Sequence, residues 1–483
     1  MNDSPLSSVP ATPDLPPLRF GTDGWRAVIA DTFTMTNLDR IAQATARALR
    51  AGDAAPRVVI GHDRRFMAAR HADRVAEVLV ANGFSVLRTS SDLPTPALSG
   101  LVVDHEAACG LMLTASHNPP EFGGYKVKSA RGGSAAPQFT RLIESHLDRE
   151  PPRRLAAAEA RQRGLWHPVD FRKAYLSRLG RRVNREVLTA SPRLTIVVDS
   201  MHGCGGTLIA EFLADCGHRV VTLRGERDVL FSGHGPEPVP DRLMGLRAAV
   251  LAEKADLGIA TDGDADRVAA VDDTGRFLTA LQITPLLAED RLQRCGETGA
   301  LARTCANTLL LDRIAAVHDL PFHVYPIGFK HLVPLLENGD LLIGGEESGG
   351  IGISNYLPER DGILIGLLMV EMRAARQLPV SQLLTELWRT YGEFHYRRRD
   401  LELPSAQAAA LVARLRQVPP GNLAGIEVTG VEDLDGVKLL LGDDGWIMAR
   451  PSGTEPVLRL YCEARTPELV EQLLLAMATH LGL

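Results

Sequence analysis

Leu257-Gly-Ile-Ala-Thr-Asp-Gly-Asp-Ala-Asp-Arg267 sets an unbroken apolar run directly against three carboxylates. An apolar run without polar alternation predicts a strand buried on both faces, as in a parallel sheet covered by helices. Upstream lie a second such run, Leu194-Thr-Ile-Val-Val-Asp199, and a helical pattern over 207–217. The same order occurs twice more. One copy opens with Arg57-Val-Val-Ile-Gly-His-Asp63, has helical spacing over 68–83 and closes on Gly110-Leu-Met-Leu-Thr-Ala-Ser-His-Asn-Pro-Pro120. The other starts near Thr304-Cys-Ala-Asn-Thr-Leu-Leu-Leu311, passes through a helix to residue 318 and closes on Leu341-Leu-Ile-Gly-Gly-Glu-Glu-Ser-Gly-Gly350. Alternation of this kind predicts α/β units with right-handed crossovers, and ligands of such sheets sit beyond the carboxyl ends of strands. Three domains would thus offer three different loops to one cleft.

From Phe394 the pattern changes. A helix over 406–417, short alternating segments at 425–429, 437–441 and 446–449, a strand over 457–463 and a final helix over 467–481 read as a smaller α+β unit. The expected fold class is therefore α/β: three similar α/β domains with mixed or parallel sheets, plus a smaller C-terminal α+β domain, around a central cleft. The expected divisions are a flexible tail at 1–17, then 18–165, 166–278, 279–393 and 394–483.

Composition narrows the function. The 483 residues carry 53 basic and 59 acidic side chains, a net charge of −6, and are 45% hydrophobic. A disordered chain would be less apolar, and a nucleic-acid binder would show a basic excess. Aromatic residues, at 5%, are too sparse for a base-stacking platform. No apolar run reaches the ~20 residues of a membrane helix; the strongest, Gly362 to Val370, reads as core. Residues 1–17 hold five prolines, three serines and no basic residue, unlike a signal peptide. Six cysteines without CxxC spacing fit a reduced, cytoplasmic protein. The expected partners are small molecules, with neither nucleic acid nor membrane, and the chain is expected to be a monomer or homodimer.

The loops carry the chemistry. Asp262, Asp264 and Asp266 share one face of an extended segment, and Gly263 and Ala265 let it curl around a hard cation. A calcium EF-hand is excluded because its glycine position holds Arg267 and its closing glutamate position holds Asp273. Thr114-Ala-Ser-His-Asn-Pro-Pro120 places Ser116 at a strand end beside His117, with Lys126 and Lys128 close behind as cations. A serine so placed is either a turn residue or a nucleophile and phosphoryl carrier, and Lys126 serves as acid or base when desolvated. Arg450-Pro-Ser-Gly-Thr454, followed by Arg459, combines fork donors, hydroxyls and an open glycine amide, which suit phosphate. Gly345-Glu-Glu-Ser-Gly349 offers acceptors suited to sugar hydroxyls. Phe20-Gly-Thr-Asp-Gly-Trp-Arg26 adds another phosphate-seeking arginine, whereas Gly203-Cys-Gly-Gly206 fails the dinucleotide spacing at Leu208 and reads as a packing turn.

Taken together these motifs resemble the α-D-phosphohexomutase family, over nearly the whole chain after the tail. The resemblance implies that Ser116 is phosphorylated and that Asp262, Asp264 and Asp266, with a phosphoserine oxygen, hold Mg²⁺. It also implies that Glu346 and Ser348 hold sugar hydroxyls. Arg450, Ser452, Gly453 and Thr454 would bind the substrate's existing phosphate, with Arg26, Arg267, Arg459 and Lys330 among the converging cations. The implied reaction is reversible interconversion of glucose 1-phosphate and glucose 6-phosphate through glucose 1,6-bisphosphate, which also acts as activator. His117, Lys126 and Lys330 are the proton-transfer candidates, Lys126 first. The Glu-Glu-Ser form and Pro358-Glu-Arg-Asp-Gly362 look closest to the phosphoglucomutase members. Phosphoglucosamine mutases usually have glutamine and histidine where this chain has Glu347 and Gly350, and Ala27 stands where many relatives have glycine. The alternatives are mannose or glucosamine phosphates as substrates, a phosphatase built on the same metal, or a non-catalytic sugar-phosphate binder.

Overall fold

A computed structural model describes residues 18–21, 23–50, 56–452 and 456–483. The expected tail at 1–17, Gly453 and Thr454 lie outside the described residues.

The first sheet has six strands in the order Trp25–Val28, Phe122–Lys128, Cys109–Leu113, Arg57–His62, Ser85–Thr89, Trp166–Val169. The last four of these are mutually parallel, while Phe122–Lys128 runs antiparallel to both of its neighbours. This sheet takes in Trp166–Val169, just past the expected division at 165. The second sheet orders Phe277–Leu278, Val268–Asp272, Leu257–Thr261, Thr195–Asp199 and Arg219–Leu223. The third orders Phe322–Tyr325, Ala300–Thr304, Leu341–Gly345 and Ile351–Ile353.

All three sheets repeat one device that the apolar runs alone do not announce. A parallel strand enters the functional loop, and the chain returns antiparallel beside it: Cys109–Leu113 to Phe122–Lys128, Leu257–Thr261 to Val268–Asp272, Leu341–Gly345 to Ile351–Ile353. The connections are too short for a helical crossover, so the return strand must lie alongside. Each loop is thereby pinned at both ends.

The third copy departs from expectation at its start. Its first strand is Ala300–Thr304, and the run over 305–309 is a loop leading into the helix Leu310–Val317. Polar side chains cause the break. Asn307 Nδ2 donates to the Gly345 carbonyl at 3.0 Å, and Thr308 Oγ1 accepts the Leu310 N–H at 3.1 Å, opening the helix.

The helix Gly362–Arg376 follows the third sheet in the chain but packs on the second, where Gly366 leaves room for Ile259. One continuous apolar core therefore joins Val59, Ile259 and Ile343 of three sheets. The C-terminal unit is a five-stranded antiparallel sheet, His395–Glu402, Val457–Ala464, Gly445–Pro451, Val437–Leu440 and Gly430–Glu432, with its own core. Its edge strand His395–Glu402 was unreadable in sequence because Arg397-Arg398-Arg399-Asp400 breaks the apolar alternation. Among the described residues no helix is long and apolar enough to cross a membrane. All six cysteines are unpaired.

Candidate active site

Ser116 lies just past the strand Cys109–Leu113, buried, with a left-handed backbone at φ +53°. A non-glycine residue in that region must be held there. Thr114 Oγ1 accepts the Ser116 N–H at 2.9 Å and donates to Asp63 at 2.6 Å. Arg65 supplies the larger constraint. Its guanidinium donates to the carbonyls of Ser116, Asn118, Pro119 and Phe122 at 2.7, 2.6, 2.7 and 3.1 Å. Asp63 pairs with it at 3.1 Å, and burial pushes the Asp63 carboxyl up to about 6. Arg65 and Asp63 escaped the sequence reading, although they sit at a strand end like the loops that were recognised.

The Ser116 hydroxyl donates to Asp262 Oδ2 at 2.7 Å, and its oxygen lies 3.4 Å from His117 Nδ1. Serine and aspartate loops meet backbone to backbone: a Cβ on Gly263 would stand 2.5 Å from the Ser116 carbonyl oxygen. Gly203 is equally confined, 2.7 Å from the Asp262 carbonyl oxygen, and Cys204 N–H donates to Gly263 at 2.9 Å. The Gly203–Gly206 turn is thus a packing turn beneath the aspartate loop.

Asp262, Asp264 and Asp266 are fully buried, and each offers a carboxylate oxygen within 4.8 Å of the others. Ala265, at φ +56°, makes the curl. Asp264 Oδ1 and Asp266 Oδ1 are buried with no hydrogen-bond partner. Three converging carboxylates with orphaned oxygens fit a hard divalent cation. Burial and the neighbouring carboxylates Asp264 and Asp266 push Asp262 well above the ordinary carboxyl range. Burial also acts to raise Asp264, but Lys126 and the Thr95 hydroxyl, at 2.5 Å, overcome it and hold that group low.

Lys126 behaves differently from the expectation of a lysine tuned by desolvation. Burial does act to lower it. Asp23, Asp264 and Asp266, at 2.9, 2.8 and 2.9 Å, outweigh burial and raise it, so its proton is held tightly. It stands here as a cation among three carboxylates. His117 is displaced the other way: burial, then Arg267, Arg26, Lys126 and Arg65, keep its imidazole well below the usual histidine range. Arg26 Nη1 donates to Asn118 Oδ1 at 2.7 Å, placing a second cation beside the serine loop.

Arg360, from the Pro358-Glu-Arg-Asp-Gly362 stretch, binds the loops together. Its Nη2 donates to Asp23 at 2.6 Å and Asp266 at 2.8 Å, and its Nη1 donates to Glu346 at 3.0 Å. Burial raises the Glu346 carboxyl, opposed by Arg360 and Arg267. Gly350 makes room for this arginine, since a Cβ there would collide with Arg360 Cδ. The space over Gly350 is therefore occupied by the Arg360 side chain. The Gly349 carbonyl accepts the Val268 N–H at 3.1 Å, so the loop bearing Glu346 and Ser348 abuts the strand leaving the aspartate loop. Ser348 is half-buried there. Arg267 N–H donates to Asp262 at 3.1 Å. Lys330, also half-buried, lines a small pocket with Phe20, Gly21, Asp23 and Gly24.

The last loop comes from the C-terminal unit. Arg450 and Arg459 are directly opposite on adjacent antiparallel strands, forming a doubly cationic patch. Arg450 Nε donates to Asp435 at 2.8 Å, Arg459 Nε lies 3.6 Å from Asp400, and Ser452 N–H donates to the Val457 carbonyl at 3.0 Å.

The described structure thus brings a serine on a strained turn, a buried carboxylate cluster and several cations together, with a separate pair of arginines on the C-terminal sheet. Comparison with known proteins agrees. Family descriptions of phosphoglucomutase/phosphomannomutase alpha/beta/alpha domains I, II and III match residues 17–154, 173–275 and 280–391, and the C-terminal domain matches 403–480. A phosphoglucomutase/phosphomannomutase of Thermococcus kodakarensis is 31% identical, covering 94% of this chain and 96% of its own. A phosphoglucosamine mutase of Saccharopolyspora erythraea is also 31% identical, covering 92% and 95%. A crystal structure from Thermus thermophilus, named for phosphomannomutase, superposes with a TM-score of 0.86 at 36% identity, covering 97% of this chain and all of that one. The chain belongs to the phosphoglucomutase/phosphomannomutase family, the α-D-phosphohexomutases, and is a phosphohexomutase.

Proposed function

We propose that this phosphohexomutase interconverts α-D-glucose 1-phosphate and glucose 6-phosphate, with Ser116 as phosphoryl carrier and glucose 1,6-bisphosphate as intermediate. The observation that carries the reading is the buried Ser116 hydroxyl, 2.7 Å from Asp262 and next to His117, whose imidazole feels the charges of Arg267, Arg26 and Lys126. Asp262, Asp264, Asp266 and an oxygen of phosphorylated Ser116 would hold Mg²⁺, which when bound neutralises charge on the phosphoryl group.

Arg450, Arg459, Ser452 and the Gly453–Thr454 segment hold the monophosphate at its existing phosphate. Glu346 and Ser348 hold ring hydroxyls. The free hydroxyl of the sugar then attacks the phosphorus of phospho-Ser116: a sugar O–P bond forms, the serine O–P bond breaks, and the hydroxyl proton is passed to the leaving serine oxygen, restoring its hydroxyl. His117 Nδ1, 3.4 Å from Oγ, is placed to exchange the serine proton. Lys126 and Arg360 contribute fixed positive charge, which phosphoryl transfer needs more than covalent participation. The bisphosphate turns over, presents its other phosphate to Ser116 and returns the group. Glu347, where phosphoglucosamine mutases usually have glutamine, supports glucose over glucosamine phosphates.

The testing experiment compares glucose, mannose and glucosamine 1-phosphates in a coupled assay primed with the corresponding 1,6-bisphosphate. A dominant glucose rate, with phosphate on Ser116 by intact-mass analysis, is expected. A dominant glucosamine rate replaces the substrate assignment, and release of inorganic phosphate without isomer formation overturns the mutase mechanism.

A further inference from the structure

The C-terminal unit meets the third α/β unit across a small apolar seam, with Cys305 and Ala306 on one side and Trp446, Met448 and Tyr461 on the other. Beside the Arg313–Asp443 ion pair at 3.1 Å, three ties to the backbone of the third unit cross the same seam among the described residues. Glu463 accepts the Leu309 N–H at 2.9 Å, and Lys438 Nζ donates to the Cys305 carbonyl at 2.8 Å. Both end on backbone. The third differs because it also ends on a phosphate-seeking side chain: Asp435 Oδ2 accepts the Ile327 N–H at 3.0 Å, while Oδ1 accepts from Arg450 Nε at 2.8 Å.

That carboxylate is itself fixed. Gly436 follows it at φ +96°, and a Cβ there would stand 2.5 Å from the Ala449 carbonyl oxygen, so the turn is pressed against the strand bearing Arg450. Val437 pairs with Ala449 immediately beyond. On the other side, Ile327 precedes the short helical turn Phe329–His331, which carries Lys330. Engaging Nε orients a planar guanidinium and leaves phosphate recognition to its forked Nη edge.

We propose that Asp435 is a positioning residue for sugar-phosphate binding, aiming Arg450 at the cleft and making that aim conditional on docking of the C-terminal unit against Ile327. The inference rests on reading Arg450 as a ligand of the substrate's non-reacting phosphate. Binding energy at this phosphate then serves two ends at once, since the state that closes the cleft is the state that arms the arginine. A bisphosphate that must turn over needs such a grip to release as one unit.

The test uses the full-length enzyme and the single variants D435N, D435E and R450A, with the double variants D435N/R450A and D435E/R450A. The D435N side chain keeps an acceptor oxygen for the Ile327 N–H but carries no charge for Arg450. The expected result is a rise of about tenfold in KM for glucose 1-phosphate with kcat changed less than about threefold, and a smaller rise in D435E. In the R450A background, D435N adds nothing further to KM. A normal KM in D435N, or a penalty that persists in full without Arg450, overturns the inference while leaving the phosphate-loop reading intact. An unchanged KM in R450A overturns that reading and the inference with it. Should D435N melt well below the wild type, D435E is judged by the same criteria: a raised KM that vanishes in the R450A background supports the inference, and a normal KM overturns it.

Discussion

The serine–aspartate half of the cleft and the phosphate-loop half use similar residues under opposite constraints. Ser116 is 1% exposed and its three aspartates 0%, whereas the Arg450 and Arg459 side chains keep 16% and 22%. The first half rests on one apolar core shared by three sheets, and its two loops touch through backbone at Gly263. The second rests on a separate core, joined to the rest by a small seam. The difference follows the chemistry. A group that transfers phosphoryl must be preorganised, since misplacement of about 1 Å can cost two orders of magnitude. On the proposed function, a loop that grips the far phosphate of a molecule that turns around must let go.

The comparison breaks most sharply at Ser116. S116A should lose activity by a factor of about 10³ or more while melting like the wild type. Retained turnover would mean that the buried half is not where phosphoryl is carried. Next in size is R65M, which strips four carbonyls of their donor. About a 10²-fold fall in kcat is expected, with KM little changed, the reverse of the KM-dominated pattern expected at Asp435. If R65M instead raised KM alone, the distinction between a rigid reacting half and an adjustable gripping half would fail.

The remaining prediction lies at the seam and concerns stability, not turnover. Burial, and then Arg303, lower the Lys438 ammonium to about 8 against an ordinary 10.5. Between those values the unfolded chain binds more protons than the folded one, so this lysine makes stability rise with pH across the window. K438M removes that dependence. Measured by urea denaturation, the stability of the wild type relative to K438M should improve by about 3 kcal/mol from about pH 7.5 to 10.5. A flat difference would show that the seam holds no buried charge.

Much of the site was legible because its loops follow unbroken apolar runs. Leu257–Thr261 and Leu341–Gly345 deliver Asp262 and Glu346 to strand ends, where chemistry collects. Arg65 was not legible, because its partners are backbone carbonyls and carbonyls leave no trace in residue identity. Arg360 was quoted but its role was hidden, since Asp266 lies 94 residues away in the chain and Asp23 lies 337 away. The strand His395–Glu402 was masked by its own charges.

The sequence by itself determined which side chains are available: a serine, a carboxylate triad, a Glu-Glu-Ser string between glycines and an Arg-Pro-Ser-Gly-Thr string, each local in the chain. Only the tertiary structure decided how those groups are charged and who faces whom. Lys126 is a held cation because three carboxylates from two distant segments close on it within 3 Å, and Gly350 is glycine because Arg360 lies over it. Coulomb energies depend on separation and burial, and chain order fixes neither.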